Sequence, residues 1–236
     1  MTWSRLGVYY LPPAGPLADL GAAWLGWDIA RGVVPAPPTV HGLPDAPELT
    51  RGAARYGFHA TLKPPFRLRP GSDLAGVTDD LALLAAQIAP ARADGLRIGV
   101  MGGFVALMPT GDRAGLGRVA AALLRGIDHH RAPPDAAEMV RRRAAGLTAE
   151  EEAHLTRWGY PYVLDRFRLH LTLSRHLPDA DAAQLRAALA PVFQPLLPAP
   201  FLLDQIALVG EAPEGFHLIA RFPLTGRPVD DERTIT

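Results

Sequence analysis

The sequence predicts an α+β fold built as two related lobes, and three observations carry that expectation. Strand-like alternation and helical spacing succeed one another along the chain. A His-x-Thr strand recurs 111 residues after its first appearance, at His59-Ala60-Thr61 and His170-Leu171-Thr172. The elements flanking the two copies follow the same order at nearly the same spacing, as an internal repeat does. With 236 residues, the chain is long for one minimal core and short for two large domains, so one body with two lobes is expected.

Residues 6–11 alternate as a strand, and Leu17, Leu20, Trp24, Trp27 and Ile29 predict a helix over 16–31. The Pro-rich stretch 33–49 reads as a loop, with His41 inside it. The first motif strand is expected to end at Pro64-Pro65, because proline cannot continue a central ladder. Residues 73–88 read as a helix capped by Ser72 or Asp73, followed by strands 96–101 and 104–108 around a Gly102-Gly103 turn. A helix over 114–127 opens the second half, and a helical hairpin over 135–157 is inserted into it. Thr148-x-x-Glu151 is a capping box for the second helix of that hairpin. The aromatic turn Trp158-Gly159-Tyr160-Pro161-Tyr162 then leads to the second motif, a helix over 181–196, and strands 202–209 and 216–222.

His59 precedes Phe104 by 45 residues, and His170 precedes Phe216 by 46. Tyr10-Leu11-Pro12 and its helix are echoed by Leu107-Met108-Pro109 and the helix after it. The pattern is strand–helix–strand–helix–hairpin, twice, with halves at about 1–110 and 111–236 of a single domain. Residues 230–236 are polar and expected to fray.

Hydrophobic residues make up 48% and charged residues 20% of the chain, an ordinary globular composition, and the formal net charge is zero. Long nucleic acid needs a broader positive footprint and is not expected as a partner; a small phosphorylated substrate fits. Arg141-Arg142-Arg143 is the tightest basic cluster and reads as a solvated helix face. Without cysteine, disulfides, thiolate catalysis and thiolate metal sites are excluded. No signal-peptide core opens the chain and no apolar run reaches membrane-spanning length, so a soluble cytoplasmic protein is expected. The absence of Asn and the single lysine, Lys63, suggest the codon bias of a GC-rich bacterial genome.

Side chains at i and i+2 of a strand leave the same face, so each motif presents an imidazole beside a hydroxyl. Two such pairs facing one another supply a base, an acid and two hydrogen-bonding hydroxyls, enough to cleave a phosphodiester. Histidine suits the proton transfers because its ordinary pKa, about 6.5, lies near working pH. Thr61 and Thr172 suit the non-bridging phosphate oxygens. Lys63 lies two residues beyond Thr61 and Arg168 two before His170, so either can add positive charge for phosphate or stay at a solvated strand end. Tyr56, Tyr160 and Tyr162 are candidates to stack on a base or sugar, or to pack in the ordinary way. His129-His130 follows a helix and suits its C-terminal dipole; His154 is placed on an exposed helix turn. None of the remaining histidines has metal-ligand spacing with acidic partners, so no metal and no cofactor is expected.

On these residues the chain resembles the 2H phosphoesterase superfamily, whose members carry two His-x-(Ser/Thr) motifs. The strings Arg55-Tyr56-Gly57-Phe58-His59-Ala60-Thr61-Leu62-Lys63 and Arg157-Trp158-Gly159-Tyr160-Pro161-Tyr162-Val163-Leu164-Asp165 resemble its branch of phosphonate-metabolism proteins. The resemblance implies two pseudo-twofold lobes of antiparallel sheet, helices packed outside and a cleft between. It also implies metal-independent chemistry on a cyclic phosphate or related phosphodiester, with His170 as base and His59 as acid. For that branch, a ribose cyclic phosphate formed during phosphonate breakdown is the implied substrate. The alternatives are RNA-end processing, by 2′,3′-cyclic phosphodiesterase or 2′–5′ ligase chemistry, and a catalytically idle nucleotide-binding module.

Overall fold

The computed structural model describes residues 2–40, 43, 46–144 and 146–227. His41 and the tail at 230–236 therefore lie outside the described residues. The first half runs through β1 (Leu6–Tyr10), α1 (Pro16–Leu25), α2 (Ala46–Thr50), β2 (Ala60–Phe66), α3 (Leu74–Gln87), β3 (Ala91–Ala93), β4 (Gly95–Met101) and β5 (Phe104–Thr110). The second runs through α4 (Ala114–Gly126), α5 (Ala136–Arg143), α6 (Ala149–Trp158), β6 (Leu171–Thr172), α7 (Asp179–Phe193), β7 (Phe201–Leu203), β8 (Gln205–Glu211) and β9 (Phe216–Pro223).

Seven strands form one antiparallel sheet in the order β4-β5-β6-β2-β1-β8-β9, and β3 pairs separately with β7. Exchanging β4, β5 and β6 for β8, β1 and β2 gives the same first six strands in reverse order, as a twofold requires. β2 and β6 pair with Ala60 opposite Leu171, which are equivalent residues of the two motifs, so a local twofold passes between them. Cross-strand partners obey the same relation: Tyr9 faces Thr61, and Ala106 faces Thr172. The expected α+β class with two related lobes is what the chain adopts, the lobes being halves of one continuous sheet. Apolar faces of α3 (Val77, Leu81), α4 (Leu116, Val119, Leu123) and α7 (Leu185, Leu189, Phe193) pack with Leu62, Leu107, Leu171 and Leu173 of the strands in one buried cluster. That packing leaves the opposite sheet face for chemistry.

Several boundaries differ from expectation, each for a physical reason. Helix α1 ends at Leu25 because Gly26 (φ +81°) takes the left-handed cap conformation. Trp27 and Ile29 then join Tyr9, Val209 and Phe216 in a second apolar cluster, while Asp28 Oδ1 accepts from the Ala30 and Arg31 amides. α2 forms at the end of the stretch read as loop. β2 continues through Pro64-Pro65, which fall where its register with β1 shifts, a bulge that spares the missing N–H groups. The expected strand over 202–209 is two strands, β7 and β8, in different sheets, and β3 was not anticipated. α7 starts at Asp179 and ends at Phe193, with a 3-10 turn over Gln194–Leu196. The helical hairpin is present, with Asp135 capping α5 and the reciprocal Thr148–Glu151 capping box opening α6. His154, placed on an exposed turn by the sequence, is mostly buried at 15% side-chain exposure and donates to the Pro161 carbonyl. No helix among the described residues is long and apolar enough to cross a membrane.

Candidate active site

Ala60 and Leu171 are fully buried in the helix-covered core. Alternation along the strands therefore turns His59, Thr61, His170 and Thr172 to the other face. Antiparallel register from Ala60–Leu171 sets His59 beside Thr172 and Thr61 beside His170. All four line one cavity of about 270 Å³.

Both rings are anchored in the same way. His59 Nδ1 donates to the Gly57 carbonyl at 2.9 Å, and His170 Nδ1 donates to the Arg168 carbonyl at 2.7 Å. A carbonyl only accepts, so in each neutral ring the proton sits on Nδ1 and Nε2 keeps its lone pair. His59 Nε2 accepts from the Thr61 hydroxyl at 3.0 Å. Gly57 can aim its carbonyl because it adopts φ 66°, ψ −178°, a conformation essentially reserved for glycine. Burial pushes His59 down to about 4, opposed by its bond to Gly57 and reinforced by the nearby His170. Burial also lowers His170, against its bond to Arg168. Both rings are thus neutral at pH 7 in the free protein.

Of the phosphate candidates, Lys63 does not reach the cavity. Register with β1 shifts between Thr61 and Lys63, so Leu62 and Lys63 both turn inward. The Lys63 side chain is 1% exposed, with its ammonium 2.9 Å from Asp128 Oδ1 and 3.1 Å from the Leu124 carbonyl. Pro64 and Pro65 line the cavity in its stead. Arg168 contributes its carbonyl to His170; its side chain is exposed and is not part of the cavity wall. Tyr56 and Tyr160 do line the cavity, whereas Tyr162 is 44% exposed in an adjoining groove with Arg67, Arg141 and Arg142.

Sequence reasoning missed Tyr9, Arg5 and Arg142. Tyr9 stacks on His59 at 3.8 Å between ring centroids and 21° between planes. Its hydroxyl is buried and makes no hydrogen bond among the described residues, and burial raises its pKa. Arg5 is held by Glu211 through Nε at 2.5 Å and Nη2 at 2.7 Å. Arg142, read as part of a solvated face, instead lies 4.5 Å over the Tyr160 ring, bonds Glu138 at 2.9 Å and lines the cavity. Its Nε is buried with no hydrogen-bond partner among the described residues. The alternation of Tyr9 on β1 was a usable signal; the reach of Arg142 from the inserted hairpin was not.

A family described as protein of unknown function (DUF1045) matches residues 61–219. Ribose 1,5-bisphosphate phosphokinase PhnN of Janthinobacterium sp. (strain Marseille) is 33% identical over 236 residues, 95% of this chain and 51% of its own length. The protein of that name from Laribacter hongkongensis (strain HLHK9) is 35% identical over 212 residues, 89% of this chain and 49% of its own. The chain thus spans about half the length of the curated relatives it matches. Among solved structures, E. coli LigT complexed with 3′-AMP aligns over 95% of this chain and 99% of its own at 15% identity and a TM-score of 0.48. The protein TT0787 of Thermus thermophilus aligns over 94% and 99% at 21% identity and a TM-score of 0.45. The DUF1045 match covers well over half of the sequence, from the first motif threonine to the last strand, and the chain belongs to that family.

Proposed function

We propose that this protein is a cytoplasmic phosphoesterase of the 2H type that hydrolyses a small cyclic phosphate through its two histidines without a catalytic metal. The observation that carries the reading is the convergence of both His-x-Thr pairs on one cavity, each ring anchored through Nδ1. That arrangement supplies two proton-transfer nitrogens and two hydroxyls around a space the size of a sugar phosphate. Substrate entry draws the Thr61 hydroxyl from His59 Nε2 to a phosphate oxygen and frees that nitrogen. Water attacks phosphorus while His59 Nε2 takes its proton; the bond to one ring oxygen breaks, and protonated His170 gives that oxygen its proton. Thr61 and Thr172 donate to the non-bridging oxygens as charge shifts onto them. The more strongly lowered imidazole is the better-populated neutral base, so the pKa order favours His59 as base and His170 as acid. This assignment is the opposite of the one the family resemblance implies.

The names of the curated relatives support a ribose substrate. A kinase acting on ribose 1,5-bisphosphate needs that compound, and hydrolysis of a ribose 1,2-cyclic phosphate bearing a 5-phosphate yields it. Arg142 lines the cavity, and its positive charge supports a role in holding the second phosphate. The test is turnover of ribose cyclic phosphates, 2′,3′-cyclic nucleotides and short RNA ends in EDTA, with phosphorus NMR as readout. Monoester product from the sugar cyclic phosphate is expected. Activity abolished by EDTA and restored by a divalent cation would overturn the metal-free mechanism, and turnover of RNA ends alone would overturn the substrate class. The kcat/KM profile is expected to be a bell centred below pH 6.5. Its acid limb lies near 4, where His59 gains a proton, and its alkaline limb where His170 loses one.

A further inference from the structure

On the helix side of the sheet, away from the cavity, Asp80 of α3 meets His129 and His130 on the 3-10 turn that follows α4. Both imidazole Nε2 atoms stand 2.9 Å from the same oxygen, Asp80 Oδ2. Adjacent residues on a tight turn ordinarily diverge, yet here the two rings lie 4.0 Å apart and aim at one point. His130 is fixed independently: its carbonyl accepts from the Arg69 amide at 3.0 Å, and its Nδ1 lies 3.2 Å from Ser72 Oγ. Sequence spacing hides the cluster because Asp80 precedes His130 by 50 residues.

We propose that Asp80, His129 and His130 form a binding site for a borderline divalent cation of the zinc class, independent of the phosphoesterase reading. One carboxylate and two imidazoles are a familiar three-ligand set for such a cation, with a fourth position left open. Bonds near 2.0–2.1 Å in a tetrahedral site separate neighbouring donors by about 3.3 Å, so each histidine needs to move from Asp80 by only a few tenths of an ångström. On binding, both Nε2 atoms release the protons they direct at Asp80 and become ligands; His130 then takes the Nδ1–H tautomer and donates to Ser72 Oγ, the outer partner that a ligating histidine requires. An entry path exists, because His129 is 55% exposed and also lines an open cleft of about 550 Å³ with Arg69, Arg125, Arg131 and Arg157. Those guanidiniums disfavour a bare cation and favour one whose open position carries an anion such as hydroxide or chloride.

The experiment is calorimetric titration of the full chain with Zn²⁺, in a His59→Ala/His170→Ala background so that the cavity histidines are not counted. One saturable site per chain is expected, with melting raised by about 5–10 °C at a hundredfold excess over Kd. Adding His129→Ala, an exposed substitution, is expected to weaken Zn²⁺ at least tenfold without changing the circular dichroism. Asp80→Asn is expected to do the same, and substituted Co²⁺ to show tetrahedral visible bands that both variants lose. No saturable binding, or unchanged affinity in His129→Ala, would reduce the cluster to a hydrogen-bonded triad and overturn the proposal.

Discussion

The two halves of the sheet carry the same motif in unlike surroundings. In the first half, Tyr9 stands across from Thr61 and stacks on His59; in the second, Ala106 stands at the equivalent place across from Thr172. Among the described residues, His170 has one aromatic contact, Phe104, tilted at 5.4 Å. The first motif begins a seven-residue strand, the second a strand of two. One ring is therefore pinned between Tyr9 and its carbonyl anchor, and the other is held mainly through its carbonyl anchor. Approximate symmetry supplies two imidazoles, and departure from symmetry gives them different proton affinities. A hydrolase that must start with one neutral and one protonated histidine needs that difference.

The strongest way to break the comparison is to remove each ring. His59→Ala and His170→Ala are each expected to lower kcat on the natural class of substrate by about 10²–10⁴-fold. A diester with a p-nitrophenolate leaving group sharpens the comparison, because so weak a base departs without an acid. His170→Ala should regain most of its activity on that substrate, whereas His59→Ala should not. The opposite rescue would exchange the two roles.

The threonines come next. Thr61→Val and Thr172→Val each remove a donor to a charged oxygen, worth about 1.5–3 kcal/mol, or roughly ten- to hundredfold in kcat/KM. Only Thr61 bonds a ring in the free protein. Thr61→Val should therefore also change the His59 titration seen by NMR, while Thr172→Val should leave both rings titrating as before.

Tyr9→Ala makes the first half resemble the second. If burial under Tyr9 holds His59 near 4, admitting water raises that value toward 6.5. A base must be neutral, so the acid limb of kcat/KM is expected to move to higher pH. Tyr9→Phe keeps the ring and removes only the unpartnered hydroxyl, so the limb should stay while stability holds or rises. A limb that stays fixed in Tyr9→Ala would mean that another wall of the cavity sets the His59 value.

The motifs were legible because period-2 alternation and element order survive in sequence, and Ala60 and Leu171 fall inward as that period requires. Legibility failed where the period is broken. The bulge after Thr61 inserts a residue that no pattern announces, and it carries Lys63 to the other face. It failed again where partners lie far apart along the chain. Arg142 reaches the cavity from an insertion without a counterpart in the first half, and Asp80 meets two histidines half a lobe away. A left-handed Gly26 shortened a helix whose apolar spacing ran on to Ile29, since a cap overrides periodicity.

Lys63 provides the smallest expected effect and a discriminating one. Its counterpart in the second half is Ser174, equally buried, whose hydroxyl accepts from the Val105 amide. Both positions thus serve the interior rather than the cavity, by different chemistry. Lys63→Met keeps the stem that fills the core and removes the ammonium, while Asp128 stays paired with Arg131 at 2.8 Å. KM and kcat are expected to be unchanged. The cost should appear only in thermal unfolding, and below the roughly 3–5 kcal/mol typical of stranding a buried charge, because Asp128 retains a cation. Were the ammonium a phosphate ligand, its loss would raise KM by about tenfold or more, the value of a hydrogen bond to a charged group. Steady-state kinetics on the one variant therefore decides whether the register shift after Thr61 has taken the only lysine in the sequence out of the chemistry.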